Sequence, residues 1–77
     1  MKLRIRRRAK KELLDIDDDA TFFAVVRAVL DLDANPRPRG YDKWVGRDWR
    51  VLYSIKADRD ELIIEAVRRK DEATYRR

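Results

Sequence analysis

Leu3 and Ile5 alternate with Lys2, Arg4 and Arg6, the two-residue period of a short strand with one buried face. Ala9, Leu13 and Ile16 then recur at helical spacing, so the change of period near Arg7 predicts a strand running into a helix. Phe22, Phe23, Val26, Val29 and Leu30 form the apolar stripe of a second helix, with Ala20, Ala24 and Ala28 allowing close approach. The two phenylalanines are read as core residues. Asp17, Asp18 and Asp19 stand just before this stripe, where an aspartate accepts from orphan amides and suits the positive end of the helix dipole; capping is therefore preferred to metal binding. Asn35, Pro36, Arg37, Pro38, Arg39 and Gly40 end the helix, because each proline removes a backbone donor and disfavours helical geometry in the residue before it.

The second half returns to a period of two. From Trp49 to Ile55 one face carries Trp49, Val51, Tyr53 and Ile55, and the other Arg50, Leu52 and Ser54, followed by Lys56. From Leu62 to Arg69 one face carries Leu62, Ile64 and Ala66, and the other Ile63, Glu65, Val67 and Arg69. The polar segment from Lys56 to Glu61 makes these strands an antiparallel hairpin. If the more apolar faces cover the helices, Arg50 and Arg69 share the opposite, open face. Strand, helices and then antiparallel strands make an α+β chain, expected to be one domain over residues 1–77.

Composition changes the picture in two ways. Seventy-seven residues bury only about 60% of the surface the unfolded chain exposes, so stability is marginal, and with no cysteine there is no disulfide to add to it. The net charge is +5, with Arg4, Arg6, Arg7, Arg8, Lys10 and Lys11 crowded near the start and Arg68, Arg69, Lys70, Arg76 and Arg77 near the end. Clustered cations suit a polyanionic partner, and equally a solvated surface. No apolar run approaches the roughly 20 residues that span a bilayer, and charged residues follow the basic start where a signal peptide needs its apolar segment, so a cytoplasmic location is expected.

After the apolar run Leu62 to Val67 come Arg68, Arg69, Lys70, Asp71, Glu72, Ala73, Thr74 and Tyr75. An arginine ending a strand and a tyrosine six residues beyond it resemble the C-terminal signature of the RelE/ParE superfamily of toxins. The likeness runs along nearly the whole chain. Ala9 fits the alanine that opens the family's first helix, Asn35, Pro36 and Arg37 its turn after the second, and Trp49, Arg50, Val51, Leu52 and Tyr53 its strand motif. The implied fold is RelE/ParE-like, β-α-α-β-β-β, with the first strand after the helices short or missing.

The resemblance implies a ribosome-dependent endoribonuclease that cuts messenger RNA in the A site and inhibits translation, held inactive by an acidic, partly disordered antitoxin, without metal or cofactor. It implies catalytic roles for Arg50, Arg69 and Tyr75, and for Lys43, seven residues before Arg50. Arg4, Arg6, Lys56 and Arg68 are the expected nucleic-acid contacts. The alternatives are a ParE-like inhibitor of DNA gyrase that acts by binding and a degenerate, non-catalytic interaction module.

The chemistry suits a chain with no histidine and no cysteine. Cleavage at a ribose 2′-hydroxyl needs a base, cations for the phosphorane charge and an acid for the leaving oxygen. Arg50 and Arg69 offer forked donors, each well-placed donor being worth about 10²–10³ in rate. Tyr75 exchanges protons once cations lower its phenol pKa, and Lys43 is the alternative carrier. Structural roles compete with these: Arg50 as a cross-strand partner of Glu65, Arg69 capping exposed backbone, and Tyr75 packed on the sheet edge. Trp44 and Trp49 are read as packing groups rather than base-stacking ones.

Overall fold

The computed structural model describes residues 2–35 and 42–69. Strand β1 (Lys2–Ile5) leads into helix α1 (Arg7–Leu14), then helix α2 (Asp19–Ala34), and three strands follow: β2 (Asp42–Val45), β3 (Trp49–Lys56) and β4 (Glu61–Arg69). The architecture is α+β, with two helices and a four-stranded mixed sheet in the order β1-β4-β3-β2. β1 runs parallel to β4, and the other two pairings are antiparallel. The first strand after the helices is present and short, four residues long. Among the described residues no helix is long and apolar enough to cross a membrane.

Local chemistry sets the boundaries. Asp18 caps α2, its carboxylate accepting from the Thr21 amide at 2.8 Å and the Thr21 hydroxyl at 2.6 Å. Those bonds from Thr21, the side-chain one foremost, hold its pKa below the ordinary aspartate value. The acidic run before α2 is thus a cap, as its position predicted. Asn35 ends the helix, and Pro36 to Gly40 lie outside the described residues. Gly46 makes the tight turn from β2 to β3 with φ +65°, a left-handed conformation that L side chains rarely adopt. Between β3 and β4 a single 3₁₀ turn, Ala57–Arg59, is followed by Asp60 at φ 54°, and the Asp60 carbonyl accepts from the Lys2 amide at 2.8 Å.

Both helices cover one face of the sheet. Ala9 of α1 and Val25, Val29 and Leu32 of α2 pack with Val51 and Tyr53 of β3 and Leu62, Ile64 and Val67 of β4. Burying each large aliphatic side chain contributes about 1.5–3 kcal/mol, so this cluster supplies most of the favourable side of the fold. Trp49 and Ile55 pack at its margin, as the face pattern of β3 predicted.

The pattern of β4 departs from expectation. Leu52 pairs with Ala66 whereas Tyr53 pairs with Ile64, so Glu65 is an extra residue, a β-bulge. Past the bulge the alternation is offset by one: Val67 joins the core, Arg68 turns to the face away from the helices, and Arg69 turns toward them. The expected sharing of one face by Arg50 and Arg69 is therefore incorrect. A valine fills the space against Val51 better than Ala66 would, and the one-residue offset puts it there.

Candidate nucleic-acid interface

The sheet face away from the helices reads as cross-strand rows. Lys2, Glu61 and Lys56 form one end, followed by Arg4, Ile63 and Ser54; Ala66, Leu52 and Asp42 come next, and Arg68, Arg50 and Trp44 form the other end. Arg50 and Arg68 are direct Cα partners. Like charges placed opposite one another across a sheet repel, so each needs an anion.

Among the described residues each has one carboxylate. Arg50 Nη1 donates to Asp42 Oδ2 at 3.3 Å, and its guanidinium lies 5.5 Å from the centre of the Trp44 ring. Arg68 Nε lies 3.5 Å from Glu12 Oε2. Both side chains are about three-quarters or less covered, with relative exposures of 26% and 31%. The Nε atoms of both have no hydrogen-bond partner among the described residues. A guanidinium carries five N–H donors, so one weak carboxylate contact leaves most of its capacity for a further anion.

Glu12 does two jobs from α1. β1 ends its pairing with β4 at Ile64, leaving the edge of β4 beyond the bulge without a strand neighbour among the described residues. There the Val67 amide donates to Glu12 Oε1 at 2.9 Å, while the other carboxylate oxygen faces Arg68. One step earlier the Arg6 amide donates to the Ile64 carbonyl at 3.0 Å.

Glu65, the bulge residue, accepts from the Ser54 hydroxyl at 2.7 Å through one oxygen and from Arg6 Nε at 2.8 Å through the other. The Ser54 hydrogen bond, with smaller help from Arg6 and Lys56 and against partial burial, holds its pKa below the ordinary range. It is a fixed carboxylate at neutral pH. It does not pair with Arg50, whose partner is Asp42.

The expected site residues divide. Arg50, Arg4, Lys56 and Arg68 lie on the open face, and Arg6 lies beside it through Glu65. Lys43 pairs with Val51, between residues that face the helices, so it stands on the other side of the sheet from Arg50. Arg69 pairs with Trp49, and its guanidinium lies 5.8 Å from the centre of that ring. It lines a groove with Glu12, Asp15, Asp17 and Asp18, on the helix side. Tyr75 lies outside the described residues. The structure brings Arg50 together with Arg68, and not with Lys43 or Arg69.

Trp49 packs toward the helices as expected, whereas Trp44 does not: it is 48% exposed on the open face. The reading of Trp44 as a packing group is therefore incorrect, and Asp42 carries no signal of its own, because β2 has no clear period. Glu12 and Glu65 had no local signal, since their partners lie 55 and 59 residues away for Val67 and Arg6. No protein-family model matches the chain, and no curated protein sequence matches it.

Proposed function

We propose that this chain is a RelE/ParE-type toxin that acts on messenger RNA at the ribosome, using the open sheet face as its RNA-contacting surface. The observation that carries the reading is the facing pair Arg50 and Arg68, each with a single carboxylate partner among the described residues. A phosphodiester supplies a further anion for the donors that these carboxylates leave unused, and forked donors match its oxygens. The order of strands and helices agrees with what the resemblance implies, and Arg4, Arg6 and Lys56 extend positive charge along the same face.

In this reading Arg50 and Arg68 orient the scissile phosphate and stabilise charge as the 2′-oxygen attacks. Trp44 offers a ring against which a base stacks. The chain has no histidine or cysteine, so the proton transfers fall to Tyr75, the residue that the resemblance implies. No metal is required. The proposed partners are ribosome-bound messenger RNA and an acidic antitoxin segment attracted to the basic face, with both toxin and target in the cytoplasm.

A second reading has its own support. Lys43 and Arg69 stand on the other face from Arg50, which removes two of the four residues that the resemblance makes catalytic. That placement favours a module that binds without cutting, including a gyrase inhibitor. Incubating the purified chain with programmed ribosomes and, separately, with gyrase and supercoiled DNA distinguishes them. Cut transcripts support the first reading. Gyrase inhibition with intact transcripts supports the second.

A further inference from the structure

Helix α2 is apolar well beyond the side that faces the core. Val25, Ala28, Val29 and Leu32 face the core, yet the opposite side carries Phe23 and Leu30, exposed by 65% and 56%, with Ala20, Ala24 and Ala34 beside them. A surface helix ordinarily keeps charged residues on its outer side, and one that is apolar all round is a buried helix. Helix α1 follows the usual rule, with Arg7, Arg8, Lys10 and Lys11 all exposed. The outer side of α2 has only Asp19, Arg27 and Asp31 as charges.

We infer that the outer face of α2 is a dimer interface, covered by the same face of a second copy packed antiparallel about a two-fold axis beside Arg27. The charge pattern selects this occupant. Phe23 and Leu30 lie two turns apart on one stripe, with Arg27 midway between them. An antiparallel copy centred at Arg27 sets Phe23 of each chain against Leu30 and Asp31 of the other, and Ala20 against Ala34. Helical side chains lean toward the helix N-terminus, so each Arg27 leans away from its symmetry mate and toward the level of Asp31 in the second copy. Two Arg27–Asp31 pairs then form at once, as an isologous interface requires. In a parallel copy both Arg27 side chains would lean the same way and stay at one level, beside each other. The alanines let the helices approach closely at both ends.

The helix has 16 residues, so its outer face buries less than the about 1,200–2,000 Å² of a standard stable interface. The dimer is therefore a reversible one. The inference stands apart from the functional proposal, because α2 lies on the other side of the sheet from Arg50 and Arg68 and mass is read without any substrate.

Sedimentation equilibrium of the full chain over a range of concentrations tests it. The expected result is a mass that rises from 9.3 kDa toward twice that value. Phe23→Asp stays monomeric with an unchanged far-ultraviolet spectrum, since the side chain is mostly exposed. Arg27→Asp and Asp31→Arg each weaken the dimer by roughly tenfold or more, because each reversal creates two like-charge pairs, and the double reversal restores it. A wild-type chain that stays monomeric throughout overturns the inference. So does a dimer that survives Phe23→Asp, or a double reversal no tighter than the single ones.

Discussion

Arg50 on β3 and Arg68 on β4 stand directly across from each other on the open sheet face, while the next residue, Arg69, stands across from Trp49 on the face toward the helices. The bulge at Glu65 produces this arrangement. Without its offset, strict alternation from Leu62 would turn Arg69 rather than Arg68 to the side of Arg50. Two adjacent arginines therefore have different surroundings, and substitutions separate their roles.

Glu12 holds the end of β4 where no strand among the described residues does. Glu12→Ala leaves the Val67 amide without its acceptor in a buried setting, which costs about 1–3 kcal/mol in chemical denaturation. Glu12→Gln keeps an acceptor and loses only the charge facing Arg68 and, at 4.0 Å, Arg8, so most of that stability returns. Equal losses in the two variants would show that the ion pair, and not the amide bond, secures this edge.

Glu65 makes stability depend on pH in a predictable direction. Its pKa is lowered in the folded state, chiefly by the Ser54 hydroxyl, so its contribution is fully present above the ordinary glutamate value of 4.5 and is lost as pH falls through the folded value. Glu65→Gln removes this dependence. Urea midpoints of the two proteins should differ most near neutrality and converge in acid; a gap that widens below pH 4.5 would reverse the assigned sign.

Ile64 is 1% exposed and lies at the centre of the core. Ile64→Ala should cost about 2–5 kcal/mol, enough to unfold much of a domain this small. A loss below about 1 kcal/mol, read from the same urea curves, would mean that the helices do not pack on this face as described.

Gly46 tests backbone strain without packing. No atom lies within 4 Å of a Cβ added there, so Gly46→Ala meets no clash, only the left-handed φ of +65°. The expected cost is about 1–2 kcal/mol. A neutral substitution would mean that the turn relaxes freely into another conformation.

Much of this fold was legible in the chain. Leu3, the Ala9 stripe, the capping aspartates and the faces of β3 follow from period and from terminal chemistry, which are local properties, whereas Ile5, Phe23 and Leu30, expected to be buried, are exposed by 38%, 65% and 56%. The parity of β4 was misread because Leu62, Ile63, Ile64, Ala66 and Val67 are apolar on both faces, so alternation alone does not fix which side is inward. One signal was available. Val67 is larger than Ala66, and burying it needs an offset near Glu65, the only charged residue in that run. Lys43 was misplaced for a related reason: its face depends on the register of β2 against β3, which the sequence of a four-residue strand does not specify. Glu12 was beyond local reading, because its role comes from the edge that β1 leaves uncovered.

Whether Arg50 and Arg68 form the phosphate-holding pair is read from transcript cleavage on programmed ribosomes by Arg50→Ala, Arg68→Ala and Arg69→Ala beside the wild-type chain. Thermal melts confirm that each variant is folded. The expected result is cleavage by the wild type, losses of about 10²-fold or more for Arg50→Ala and Arg68→Ala, and near wild-type cleavage for Arg69→Ala. Abolished cleavage in folded Arg69→Ala with full cleavage in Arg68→Ala would contradict it.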